Sequence, residues 1–304
     1  MKILITGADG FLGKECVKQF REKNFDVITT DRKGSVDYSG DLSDAVFTKS
    51  LPDADAVIHC AAVQYVSKDL PLFFRKKYFQ INNVVATSNL CERYSGANTH
   101  FVNVGTSMMY AQTGQDLYSI TSTMTGEGVY SRSKLKAQLC VNKIPNKSAT
   151  VLPCIIGGEG REGLFRGFVN MMKKYGFVIF PGKGEHKIHM VHVIDVASLI
   201  ILIVEKNASG FFNAAGPEPL SIQGWINEIS AELNLKNIRR IRLPLAPMRL
   251  ISYLTGYRIL AREQLLMLEK THVLSIEESI SLGWQPKFTN ERIARSIAAY
   301  IVKN

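Results

Sequence analysis

The chain has 304 residues, 46% hydrophobic and 21% charged, with 37 Lys and Arg against 27 Asp and Glu for a formal charge of +10. This content supports a large buried core, and the longest apolar run, VASLIILIV at 196–204, falls well short of the roughly 20 residues that a membrane-spanning helix needs. The positive excess favours anionic ligands such as dinucleotides, nucleotide sugars, nucleic acid or acidic lipid without choosing among them, and five scattered cysteines with no CxxC pair read as small buried hydrophobes.

The opening MKILITG passes straight into an apolar strand and a glycine turn without a signal-peptide h-region, so a cytoplasmic protein is expected. To about residue 155, short apolar runs alternate with helical periodicity: KILIT, a helix over 10–23, DVITT, AVIHCA, a long helix over 71–94, HFVNVG, a helix around Tyr130, and ATVLPCII. Continuously apolar strands between helices predict a parallel sheet covered on both faces, a doubly wound α/β fold. Beyond 156, GGEGREG and PGKGEHK predict long loops around one helix, followed by IHMVHV, a helix from about 194, GFFNAAG, and a helix over 221–234. The basic segment IRRIRLPLAPMRLISYLTGYRILAR, 238–262, predicts a pair of amphipathic helices around a proline-containing turn that cover a substrate cleft, with membrane-surface binding as the lesser alternative. Residues 1–155 are therefore expected to form a dinucleotide-binding domain, with some later segments returning to it, and 156–304 mainly a smaller substrate-binding lobe.

ITGADGFLG sets Gly7, Gly10 and Gly13 between the first strand and the first helix, where glycines permit a tight turn and let a pyrophosphate approach the helix N-terminus. Asp31, eighteen residues beyond Gly13, ends the second strand, where a carboxylate hydrogen-bonds ribose hydroxyls and repels a 2′-phosphate. That favours NAD, while Arg32 and Lys33 keep NADP open. In YSRSK, Tyr130 and Lys134 are four apart, on one face of a helix, where an ammonium would favour the phenolate and fit the tyrosine for proton transfer.

In their joint order these segments resemble the extended short-chain dehydrogenase/reductases, the NAD-dependent epimerase/dehydratase family, over essentially the whole chain. GDLSD carries Asp41 and Leu42 at the family's adenine-contacting pair, HCAA (59–62) matches its H-x-A-A with Ala61 and Ala62, and NVVAT (83–87) matches its N-x-x-G-T from Asn83, with Ala86 replacing Gly. TSMMYA (106–111) is similar to T-S-E-V-Y-G, while VHVIDVA (191–197) and LGWQPKF (282–288) are similar to its C-terminal landmarks. The resemblance implies a Rossmann fold and a catalytic set of Thr106, Tyr130 and Lys134, with Tyr130 as acid/base, Thr106 bonded to the same substrate oxygen and Lys134 on the nicotinamide ribose. It adds Phe11, Leu12 and Pro153 to the cofactor contacts, Gln64, Tyr65, Ser107 and Met108 to the substrate side, and a homodimer through the 71–94 helix.

The chain departs from the nucleotide-sugar branch at Leu152-Pro153 in place of R-P, at Gly157-Gly158-Glu159 in place of Y-G-P, and at Ile188-His189 in place of R-D. The missing arginine leaves Lys187, Arg161 or Arg166 to meet a diphosphate. His189 and His192, three apart on a strand, point to opposite faces, so no metal site is expected. The reading is an NAD(P)-dependent epimerase/dehydratase or reductase acting on a nucleotide-linked sugar. A 3β-hydroxysteroid or dihydroflavonol-like dehydrogenase with an apolar substrate is the alternative among enzymes. A non-catalytic dinucleotide sensor or a nucleic-acid-binding relative is the alternative of another class, although no aromatic-plus-basic RNA module is visible.

Overall fold

A computed structural model of the protein describes residues 1–64, 70–71, 74–96, 98–145, 147–161, 163–255 and 261–304. Its first half runs β1 (Lys2–Thr6), α1 (Phe11–Glu22), β2 (Asp26–Asp31), β3 (Tyr38–Ser39), α2 (Ala45–Ser50) and β4 (Ala56–His59), then α3 (Arg75–Phe79), a π-helical stretch Gln80–Val85, α4 (Ala86–Tyr94), β5 (His100–Val104), α5 (Val129–Val141) and β6 (Ser148–Pro153). The second half runs β7 (Ile155–Gly157), α6 (Leu164–Tyr175), β8 (Phe177–Pro181), β9 (Lys187–Ile188), β10 (Met190–His192), α7 (Val193–Glu205), β11 (Gly210–Ala214) and β12 (Leu220–Ser221). It closes with α8 (Ile222–Glu232), β13 (Arg239–Leu243), α9 (Leu245–Leu254), α10 (Arg262–Glu269), α11 (Glu277–Ser281) and α12 (Asn290–Lys303).

The apolar runs become the parallel sheet that their pattern predicts. Seven strands pair in the order β11-β6-β5-β4-β1-β2-β3, all parallel, so β11 returns from the second half to its edge. Every residue of β4 and β5 is buried, because helices cover both faces. Strand order reverses between β1 and β4, and it is beyond the carboxyl ends of such a switch point that open α/β sheets hold ligands.

A second core lies outside the sheet, where Phe165, Phe168, Trp225, Ile226, Ile293 and Ile297 of α6, α8 and α12 pack together. Asp195 ties this region to the sheet. Its two carboxylate oxygens accept the backbone N–H groups of Lys287 and Phe288, each at 3.0 Å, and its own carbonyl accepts from Trp284 Nε1 at 3.1 Å. VHVIDVA and LGWQPKF are thus two halves of one buried joint.

The basic segment departs from its prediction. Arg239–Leu243 is a strand, not a helix, paired in parallel with β8 from Arg239 opposite Phe177 to Leu243 opposite Pro181. Alternation in RRIRL is compatible with a strand, and Pro244 ends it before α9 begins.

Candidate active site

After β1 the chain turns at Gly7 with φ +66, and a Cβ there would stand 2.7 Å from the Cα of Ala61. A Cβ on Gly13 would lie 2.0 Å from the carbonyl oxygen of Gly7, so the turn and the first turn of α1 meet backbone on backbone. The first intrahelical bond of α1 runs from Lys14 N–H to the Gly10 carbonyl, and among the described residues no side chain caps the helix, which leaves its leading N–H groups facing the groove. Asp31 Oδ2 accepts from Asp9 N–H at 3.1 Å and Oδ1 from Arg32 N–H at 2.6 Å, fixing a carboxylate beside the turn. Uncapped N–H groups, a bare glycine floor and a fixed carboxylate fit the pyrophosphate and ribose of a dinucleotide.

Beneath this floor a chain of hydrogen bonds sets the tautomer of a buried histidine. Thr87 donates its only hydroxyl proton to the Asn83 carbonyl at 2.6 Å, so its oxygen accepts from His59 Nε2–H at 2.9 Å. His59 Nδ1 then accepts the Thr6 hydroxyl at 2.8 Å, and Thr6 Oγ1 in turn accepts Ala61 N–H at 3.3 Å. Burial, with the nearby Lys134 adding to it, pushes His59 down to about 3, so it stays neutral and holds β1, β4 and α4 in register.

At the other end of the groove, Thr106 follows β5. Its Oγ1 accepts from Met108 N–H at 3.2 Å, which leaves the hydroxyl proton available to an oxygen in the groove. Tyr130 and Lys134 lie on α5, both buried, with the Tyr130 ring 6.1 Å from that of Phe79. Lys134 Nζ donates to the Val104 carbonyl at 2.7 Å, tying α5 to the strand end that carries Thr106. Burial lowers the Lys134 pKa to about 8, against a smaller opposing pull from Cys60, so the ammonium persists at neutral pH.

Two adjoining pockets share Gly7, Gly10, Cys60 and Ala62 and make one groove. A model of the NAD dependent epimerase/dehydratase family matches residues 3–215. The chain belongs to that family.

GDP-6-deoxy-D-talose 4-dehydrogenase of Aggregatibacter actinomycetemcomitans is 30% identical over 148 residues, 47% of this chain and 48% of that protein. Among solved structures, UDP-glucose 4-epimerase of Thermotoga maritima superimposes with a TM-score of 0.80 at 19% identity, over 100% of this chain and 99% of that one. The Bordetella bronchiseptica enzyme WbmG in complex with NAD gives 0.79 at 17%, over 100% and 94%. Both carry the same fold.

One pocket of the groove brings together Gly7, Gly10, Phe11, Leu12, Gly13, Ala62, Pro153, Thr106, Tyr130 and Lys134, with Gln64, Ser107 and Met108 from the expected substrate side. The other is lined by Asp31, Arg32, Asp41, Leu42 and Ala61. Two expected contacts fall elsewhere. Asn83 is buried with its amide spent internally: Oδ1 accepts from Val63 N–H, and Nδ2 donates to the Val63 carbonyl and Ser133 Oγ. Asn82, its neighbour, lines the groove instead. Lys187 is exposed on β9 and lines neither pocket. Tyr65 lies outside the described residues.

Three residues add to the site as it was predicted. Arg161, one of the three candidates for a phosphate contact, lines the groove with Nη2 donating to Gln64 Oε1 at 2.5 Å and its guanidinium 5.5 Å above the Phe11 ring. His272 Nε2 lies 2.9 Å from Ser107 Oγ, and burial, with His189 adding to it, pushes this imidazole down to about 4. Glu263 from α10 reaches the start of α5, where Oε1 accepts the Ser131 N–H at 3.1 Å and the Ser131 hydroxyl at 3.2 Å. The N-cap position there is Gly128, which has no side chain, so a carboxylate 132 residues away in sequence caps the helix that carries Tyr130. His189 and His192 have internal roles: His189 Nδ1 accepts Leu274 N–H at 3.0 Å, and the His192 ring stacks 3.9 Å from Phe288.

Proposed function

We propose that the protein is an NAD(P)-dependent enzyme that oxidises or reduces a secondary alcohol or ketone carbon of a nucleotide-linked sugar, as an epimerase, dehydratase or reductase. The observation that carries this reading is the convergence of Thr106, Tyr130 and Lys134 on the same pocket as the glycine turn and Pro153. Tyr130 passes a proton to or from the substrate oxygen. Thr106 donates a hydrogen bond to that oxygen, and Lys134, held by the Val104 carbonyl, supports the charge on both sides of the transfer. Gly7, Gly10, Gly13 and Asp31 would hold a dinucleotide, whose nicotinamide would supply the chemistry of taking up or returning a hydride at the substrate carbon. Asp31 receives the adenosine ribose hydroxyls and favours NAD, and Arg32, whose Nη1 donates to Asn82 Oδ1 at 2.8 Å, is the group that would meet an NADP phosphate. Asp41 and Leu42 line the adenine end. Arg161 is the diphosphate contact that the chain retains. In this reading residues 1–155 chiefly bind cofactor and 156–304 chiefly bind substrate. Self-association uses the α3–α4 face, where Phe74 and Ile81 are exposed.

Tyr130→Phe should keep cofactor affinity and lower turnover at least about a hundredfold; unchanged turnover would remove Tyr130 from the chemistry. UDP, dTDP or GDP should raise the melting temperature if a nucleotide-linked substrate is right. A second reading, a dehydrogenase of an apolar substrate, draws on Met108, Ile155 and Ile156 in the groove wall. Protection by apolar ketones and by no nucleotide diphosphate would favour it.

A further inference from the structure

From Leu233 through Arg262 the chain has seven Lys and Arg and no Asp or Glu. Helix α9 within this stretch is amphipathic the wrong way round for a helix facing water. It buries Ser252 and half-buries Leu245, Met248 and Thr255, which share one face, while Leu250, Ile251, Tyr253 and Leu254 stand 58, 48, 70 and 74% exposed. A surface helix ordinarily turns its apolar stripe inward. The exposed apolar run continues into Leu243, at the end of β13, where Arg239 and Arg242 are also exposed. Among the described residues strand β13 pairs only with β8, and its first N–H bonds to Gly176 just after α6, beside exposed Tyr175 with Lys174 over its ring.

Exposed large apolar side chains gathered on one helix in this way mark an interaction surface. A second copy of the chain suits it poorly, since Arg239 and Arg242 would enter a two-fold interface of this surface with no acidic group of the segment to meet them. Exposed apolar and tyrosine side chains on a surface helix, in a segment with exposed arginines, match the boundary of an acidic bilayer, which takes the apolar groups below the headgroups and meets the guanidinium groups with phosphate. We infer that β13 and α9 form a peripheral binding surface for an anionic lipid bilayer, with Leu250, Tyr253 and Leu254 inserted and Arg239 and Arg242 on the lipid phosphates. Arg240 and Arg249 contribute less, being engaged by Asn227 Oδ1 at 2.6 Å and Glu269 Oε1 at 2.5 Å.

The test is flotation of the full chain with vesicles of phosphatidylcholine alone or mixed with phosphatidylserine. Binding is expected only to the mixed vesicles, weakened by salt. The paired changes Leu250→Asp with Leu254→Asp, and separately Arg239→Gln with Arg242→Gln, should each lower partitioning at least about tenfold while leaving the melting temperature and turnover of a soluble substrate unchanged. Absence of vesicle binding, or binding that survives the paired Asp changes, overturns the inference. So does self-association that Leu254→Asp abolishes, which would assign the patch to a second copy, or binding to generic RNA that is insensitive to the Asp changes. None of these outcomes depends on the proposed chemistry.

Discussion

At the glycine-turn end of the groove the walls are backbone, with Gly7 against Ala61 and Gly13 against the Gly7 carbonyl; at the far end they are side chains from separate segments, Gln64 after β4, Ser107 and Met108 after β5, and Arg161 after β7. Backbone walls admit almost no substitution, because any added atom collides with a chain that cannot rotate away. Side-chain walls can be exchanged singly while the scaffold stands. One end is therefore intolerant of substitution and the other is free to change. The sharpest way to break this contrast is Gly13→Ala. A methyl 2.0 Å from a carbonyl oxygen must push the helix off the turn, at a cost of about 3 kcal/mol or more, and cofactor binding should fall below detection in a calorimetric titration. Near-normal binding would mean that the turn yields easily.

Helix α5, which carries Tyr130 and Lys134, sits between the two ends and carries a built-in tension. Burying the Lys134 ammonium lowers its pKa from 10.5 to about 8, so below pH 8 the folded and unfolded chains both hold the proton and the full burial penalty weighs on the native state. Between pH 8 and 10.5 the native chain releases the proton while the unfolded one keeps it, and stability rises. Allowing for the lost bond to Val104, Lys134→Met should stabilise the cofactor-free protein by about 2 kcal/mol at pH 7, with the gain shrinking as pH rises toward 10.5. Denaturant unfolding across that range measures it. Turnover should nonetheless fall, which would identify the lysine as retained for chemistry at the expense of stability.

Glu263 spans the contrast from the other side, because a residue of the second half caps the helix of the first. Glu263→Ala should lower stability by about 1–2 kcal/mol, the usual cost of a lost cap, and reduce kcat while leaving cofactor affinity unchanged. Glu263→Gln, which keeps an acceptor, should restore most of the stability. A fall in stability with kcat and its pH profile untouched would make the cap structural only.

What the sequence disclosed follows the same division. The glycine turn, Asp31 and the Tyr130–Lys134 pair are local: their geometry is set by spacing along one strand end or one helix, so it can be read without knowing the fold. Asn83, expected at the cofactor, lies in the π-helical stretch Gln80–Val85 with its amide bonded to Val63 and Ser133, and it is Asn82 that lines the groove. Lys187 is one of three cations expected to stand in for the missing arginine, but its two-residue strand presents the side chain to solvent and uses the backbone carbonyl to accept His272 N–H. Glu263 and His272 meet α5 and Ser107 across 132 and 165 residues, and no periodicity or motif records such contacts. The strand at Arg239–Leu243 escaped for the same reason, since its partner β8 lies far off in sequence.

Arg161 tests the side-chain end alone. Its guanidinium is already oriented by Gln64 Oε1 and by the Phe11 ring, so a diphosphate entering the groove would meet a donor fork whose rotamer cost is largely met before binding. Arg161→Met keeps the length and apolar stem but removes the fork. For a nucleotide-linked substrate KM should rise about tenfold with kcat changed little, and protection by UDP, dTDP or GDP in a melting assay should shrink in parallel. NAD affinity should hold, because Arg161 is oriented by Gln64 on the expected substrate side and does not line the pocket of Asp31 and Asp41, although its own pocket also contains the glycine turn and Phe11. A matching loss of NAD affinity would show that the arginine serves the cofactor through its contact with Phe11, moving the boundary between the two ends from Thr106 to beyond Arg161. An unchanged KM alongside unchanged NAD affinity would leave the groove without a cationic phosphate contact at its substrate end and turn the choice toward the apolar substrate.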